Sequence, residues 1–219
     1  IDLTSGFGID FYFISRHFKK AEYVERNADL CRIASHNFKS LGATNVSATN
    51  ADGIEYIKAS TSHYDLIFFF FFRRDKNGKK TVEIKDCEPD VVDLKETLLS
   101  KCDRMMLKLS PMLDIKSAIR DLGCVEEVHV VAVDNECKEL ILVCKEKTEL
   151  KRIVAANIKS DGTTDKLEST SMSPSGSSSY SAPLSYLYEP NVAILKANIC
   201  DFLTSDKVKK IAPFSHLFT

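Results

Sequence analysis

The segment Asp2-Leu3-Thr4-Ser5-Gly6-Phe7-Gly8 places two glycines where a strand end gives way to a helix. Glycine at such a turn lets the backbone approach a ligand closely and aims helix N-terminal N–H groups at it. Two acids follow at the ends of later strands. Glu25 closes AEYVER, where a carboxylate can accept both hydroxyls of an adenosine ribose. Asp52 closes NVSATNAD, where it suits the amino group of an adenine. Singly, each has an ordinary explanation, since tight turns need glycine and strand-end acids serve as solvated charges or turn residues. Their order is what counts: a Gly turn after one strand, an acid after the next and an acid after the third. All three fall on the carboxyl edge of a parallel sheet, where such folds bind ligands, and together they imply an adenosine-containing cofactor. A nicotinamide dinucleotide is disfavoured, because Phe11 stands where G-x-G-x-x-G requires its third glycine.

The elements that must position these residues follow from periodicity and punctuation. Helical spacing is expected over about 9–19 and again after Asn27, a potential cap, with Leu30, Ile33, Ala34, Phe38 and Leu41 on its apolar side and Gly42 as its stop. YDLIFFFFF (64–72) and DRMMLKLS (103–110) have the apolar content of strands, Pro89 suits a helix start, and a further helix precedes Gly123. Two apolar runs flank Asp134-Asn135-Glu136 and predict a closing hairpin. Alternating strands and helices imply a parallel α/β sheet with one antiparallel strand at or near its edge. The stretch 169–183 is rich in Ser, Pro and Gly and reads as a loop, and a helix is expected after Pro190.

Composition narrows the class. With 219 residues and a net charge of −1, the chain can bury a sizeable core and carries no overall nucleic-acid footprint. No apolar run reaches the roughly 18 residues of a membrane span. Seven cysteines lack CxxC or Cys/His ligand spacing, which suggests reduced thiols of a cytoplasmic protein and no metal. The loop carrying Arg73, Arg74, Lys76, Lys79 and Lys80 is either a solvated charged loop or a phosphate contact, which Lys108 could join. Tyr186, Tyr188 and His216 could stack on bases or pack in a core.

The seven-strand pattern resembles the class I S-adenosylmethionine-dependent methyltransferases. More narrowly, DLTSGFGID, NADG, RRDKNG, MLKLSPMLDI, EVHVVAVDNECKELIL and the tail LYEPN…SHLFT resemble a bacterial methyltransferase family with a THUMP-like C-terminal domain. The resemblance implies a Rossmann-like methyltransferase domain over 1–146, its first strand truncated, and a small α+β THUMP-like domain over 147–219. It implies S-adenosylmethionine held by Asp2, Thr4, Gly6, Gly8, Glu25 and Asp52, and RNA as the substrate, which the basic residues Arg73, Arg74, Lys76 and Lys108 would then contact. The family has a further N-terminal region, so the chain is expected to be a piece of a longer protein.

The resemblance also gives the phenylalanine run a location. The family carries Asp-Pro-Ala-Arg-Arg at the end of this strand, in which the acid accepts a hydrogen bond from the target amine. Arg73 and Arg74 match its arginines, but Phe70 stands at the acid and Phe71 at the proline. The catalytic station is therefore expected at Phe70, Phe71 and Arg73, within a run Phe69–Phe72 that cannot accept such a bond. Three accounts remain open: a natural inactive relative, an altered sequence, or a written sequence in which the true residues were replaced. The expected function is methylation of a base nitrogen in RNA; the alternatives are a catalytically inactive nucleic-acid-binding module of the same fold, or a methyltransferase acting on protein.

Overall fold

The computed structural model describes residues 1–70, 84, 89–172 and 180–219. Helices α1 (Ile9–Ser15), α2 (Ala28–Ser40) and α3 (Gly53–Ala59) alternate with strands β1 (Ala21–Glu25), β2 (Val46–Asn50) and β3 (Tyr64–Phe70). Then come α4 (Val91–Leu99), β4 (Cys102–Leu109), α5 (Ile115–Leu122) and the hairpin β5 (Val125–Val133) and β6 (Glu136–Cys144). The chain closes with β7 (Arg152–Ile158), β8 (Thr164–Ser169), α6 (Val192–Ala197) and a 3-10 turn at Cys200–Leu203.

A parallel pair, β2-β1, lies beside a six-stranded sheet in the order β3-β4-β6-β5-β7-β8. What joins them is the entering segment, which stands where the first strand was expected. Asp2 bridges Tyr23 on one side and Phe68 on the other. Toward β1, the Asp2 N–H donates to Glu22 O (2.9 Å) and the Val24 N–H donates to Asp2 O (3.0 Å). Toward β3, the Phe68 N–H donates to Ile1 O (2.8 Å) and the Leu3 N–H donates to Phe68 O (3.2 Å).

Two features of the sheet depart from the sequence-based expectation. The antiparallel β6 lies between β4 and β5 with β5, β7 and β8 beyond it, where an antiparallel strand at or near the edge was expected. A second antiparallel strand, β8, pairs with β7, which itself runs parallel to β5. Local patterning shows the hairpin, closed by Asp134 and Asn135 at positive φ as a tight turn demands, but not which side of it meets β4. The sheet thus continues past residue 146.

The core fills one face of the larger sheet. Met105, Leu107, Val128, Val130, Leu140 and Leu142 are fully buried there with Val91, Leu98, Ala118 and Leu122 from α4 and α5. Helix α6 packs on β5, β6 and β7 through Ala193, Ile194 and Ala197. It is shorter than expected, because Asn198 takes a left-handed conformation and ends it. A smaller core on the opposite face joins Phe11, Tyr23, Ala34 and Phe38, with ring centroids 5.3–5.6 Å apart. Asn27 caps α2 as expected, accepting from the Asp29 and Leu30 N–H groups, but Ile33 and Leu41 are exposed. Pro89 precedes α4 rather than opening it, since Asp90 is the cap. Helix α1 stops at Ser15, short of the expected residue 19. The six described cysteines are free thiols, and no described helix is long and apolar enough to cross a membrane.

The joint makes two demands that can be measured. Gly53, opening α3, sits so close to the entering segment that an added Cβ would lie 2.1 Å from Leu3 O. Gly53→Ala should therefore cost about 2–3 kcal/mol in urea unfolding, and a loss below about 0.5 kcal/mol would contradict this packing. Asp2 is 2% exposed, and burial raises its pKa from 3.8 to about 7 against the pull of the Thr4 N–H and the Ser5 hydroxyl. The folded state then holds this proton more tightly than the unfolded chain. Stability should fall as pH rises from about 4 to about 7, by up to roughly 4 kcal/mol, and level off above. Asp2→Asn keeps an acceptor for Thr4 and should flatten that window; an unchanged slope in unfolding measured from pH 4.5 to 8 would refute the assignment.

Candidate functional site

The carboxyl ends of the entering segment, β1 and β2 meet at one cleft. Gly6 (φ 53°) and Gly8 (φ 75°) both take left-handed conformations that only glycine adopts cheaply. They serve different neighbours. A Cβ on Gly8 would lie 2.4 Å from Phe38 Cζ, so Gly8 admits the α2 ring beneath the loop. A Cβ on Gly6 would meet nothing within 4 Å, because Gly6 faces the cleft.

Glu25 fixes the loop against β1. Its Oε2 accepts the Gly6 N–H (2.9 Å) and its Oε1 accepts the Asn27 N–H (2.8 Å). The Tyr23 hydroxyl donates to Gly6 O from below, and burial pushes that phenol's pKa upward. A carboxylate has about four lone-pair sites, so each oxygen of Glu25 retains capacity for a ligand hydroxyl. Asp52 caps α3, its Oδ1 accepting the Ile54 N–H (2.9 Å) and the Glu55 N–H (3.1 Å). Both bonds use one oxygen, which leaves Oδ2 for a donor in the cleft.

The cleft has a volume of about 280 Å³, just under the roughly 300–1,000 Å³ common for small-molecule sites. Thr4, Gly6, Glu25 and Asp52 line it, while Asp2 and Gly8 stand behind its wall in the ladder and under the loop. Leu30, Ile54, Phe69 and Pro89 add apolar surface, and Arg26 a charge. These five were not singled out as site residues from the sequence. Leu30 and Phe69 read there as helix and strand core, and nothing local marks an apolar residue as facing a ligand. A larger open cleft, about 450 Å³, lies at the amino ends of β4, β5 and β7. Its carboxylates are already paired, Glu126 with Lys151 (2.9 Å) and Glu168 with Arg152 (2.9 Å).

At the end of β3 the phenylalanines divide by face. Phe68 and Phe69 are buried on opposite sides of the sheet, and Phe70 is half-buried at the mouth. The Phe70 N–H donates to Thr4 Oγ1 (2.7 Å), and Lys108 Nζ lies 5.3 Å from the centre of its ring. Lys108 is committed elsewhere, to Asp10 (2.7 Å) and Glu139 (3.3 Å). Burial pulls its pKa down, but these two carboxylates outweigh it and the net shift is upward. Phe71, Phe72, Arg73, Arg74, Lys76, Lys79 and Lys80 lie outside the described residues. Tyr186, Tyr188 and His216, for which core packing was one reading, are exposed, the tyrosines by 72% and 56%.

Residues 186–219 match a family of ferredoxin-like domains. No curated protein matches the chain. Among solved structures, a protein of Porphyromonas gingivalis W83 described as a "putative methyltransferase" aligns with the whole chain at 32% identity and a TM-score of 0.83. The chain spans 56% of that protein's length. An rRNA methylase from Streptococcus thermophilus aligns with 66% of the chain and 85% of its own, at 13% identity and a TM-score of 0.46. A methyltransferase from Streptococcus mutans, likewise so described and in complex with SAH, aligns with 65% of the chain and 86% of its own, at 13% identity and a TM-score of 0.45. The described residues therefore share the mixed α/β fold of the P. gingivalis protein.

Proposed function

We propose that the chain binds S-adenosylmethionine in the Gly6–Glu25–Asp52 cleft and forms the cofactor half of an RNA methyltransferase acting on a base nitrogen. One observation carries this reading. Glu25 is held by the Gly6 and Asn27 amides at the rim of a cleft that Asp52 closes from the far side. Glu25 suits the ribose hydroxyls, Asp52 the adenine amino group, and Leu30 and Ile54 the faces of the base. The open side of Gly6 leaves room for the methionine portion. The cofactor, when bound, supplies an electrophilic methyl group. The protein's task is then to hold a substrate nitrogen in line with it, so positioning dominates. RNA as the substrate is supported by the sequence resemblance and by the exposed tyrosines of the C-terminal segment, which offer stacking surface. Lys108 contributes little net charge there, since two carboxylates offset it. The segment 186–219 that carries those tyrosines would then face the RNA.

A second reading rests on Phe70. Its side chain accepts no hydrogen bond where the target amine would need one, which favours a binding module that keeps the cofactor without turning over.

Calorimetric titration with S-adenosylhomocysteine tests the first part. Micromolar binding is expected, weakened at least tenfold in Glu25→Ala, and absence of binding would refute the cofactor site. Transfer of labelled methyl groups to total RNA tests the second part. The chain as it stands should transfer little, and Phe70→Asp with Phe71→Pro should raise transfer at least tenfold. A restored variant that binds cofactor but stays inert on RNA would favour the binding module.

A further inference from the structure

We infer that Thr4 is a positioning residue that couples occupancy of the cofactor cleft to the strand end receiving the methyl acceptor; this rests on the cofactor reading above. The ladder between the entering segment and β3 runs regularly at first, from Phe68 N–H to Ile1 O (2.8 Å) and from Leu3 N–H to Phe68 O (3.2 Å). The same parallel pattern would next pair the Phe70 N–H with Leu3 O. Leu3 O, however, faces the start of α3, where a Cβ on Gly53 would come within 2.1 Å of it. The Phe70 N–H instead reaches the Thr4 side chain, Oγ1, at 2.7 Å. The last rung of this ladder is thus made by a hydroxyl that itself lines the cleft.

That substitution has a consequence a backbone rung lacks. Thr4 is held in place by its own N–H, which donates to the buried carboxylate of Asp2 (2.9 Å). While Oγ1 accepts from Phe70, its O–H remains a donor. A ligand acceptor in the cleft that takes this proton polarises the hydroxyl and strengthens the bond to Phe70, as linked hydrogen bonds do. Cofactor binding therefore tightens the Thr4–Phe70 rung, and in an empty cleft that rung is an unpolarised neutral bond.

Residue-resolved amide exchange by NMR tests the inference on the whole chain, with S-adenosylhomocysteine as the probe at saturation. Without ligand, Thr4→Val should speed exchange at Phe70 about tenfold or more, and Thr4→Ser, which keeps the hydroxyl, should restore it. Adding the probe should slow exchange at Phe70 at least fivefold in the parent and in Thr4→Ser, but not in Thr4→Val. Amides of Val24 and Leu107 serve as references for a general loss of structure. Acceleration spread equally over those references in Thr4→Val would make Thr4 merely structural and overturn the proposal. Probe binding without added protection at Phe70 in the parent would overturn it while leaving the cofactor reading intact. Failure of the parent to bind the probe would overturn both.

Discussion

Three residues of extended chain, Ile1 to Leu3, hold the two halves of the sheet together. Their backbone bonds run to β1 on one side and to β3 on the other, and Asp2 lies between Tyr23 and Phe68. Buried backbone donors and acceptors must be paired, so this segment can occupy its slot in only one register. Everything ligand-facing follows from that register. It delivers Thr4 and Gly6 to the mouth of the cleft, sets Leu3 O against Gly53, and puts the Asp2 carboxyl where water cannot reach it. A carboxyl so placed is costly in its charged form, which is why its pKa is raised to about 7.

Glu25 is the second fixed point, a side chain whose structural bonds leave lone pairs toward the cleft. Its two oxygens accept the amides of Gly6 and Asn27, tying the glycine loop to the start of α2. The same bonds hold the carboxylate rigid at the rim. A ligand hydroxyl would then meet a preorganised acceptor, with little ordering left to do on binding. Asp52 repeats the arrangement at the next strand, spending one oxygen on the cap of α3. Helix capping and the proposed ligand recognition would thus draw on the same acids, because both need an acceptor at the carboxyl end of a strand.

The phenylalanine run looks different once its residues are separated by face. Phe68 and Phe69 are core, one on each side of the sheet, and the continuous apolar pattern of a central strand accounts for both. Phe70 is where packing stops and the mouth begins. Around it the polar groups are already committed: Thr4 to its amide, and Lys108 to Asp10 and Glu139. Phe70 itself brings no polar side-chain atom to that mouth.

The alternation of elements, the caps at Asn27 and Asp52, the hairpin turn at Asp134-Asn135 and the clustering of Thr4, Gly6, Glu25 and Asp52 could all be argued from local sequence. Each depends on residue type and short spacing, which a chain carries on its face. What depended on tertiary structure was long-range. The choice of neighbour for β6, the addition of β7 and β8, the apolar walls from Leu30, Ile54 and Phe69, and the reach of Lys108 to Asp10 are contacts between residues far apart in sequence. The acids were legible through their order on the ends of successive strands, since each alone has an ordinary explanation. The partners that fix them, and the side that Thr4 turns to Phe70, were decided only when Leu3 O met Gly53 and the ladder had to finish on a side chain.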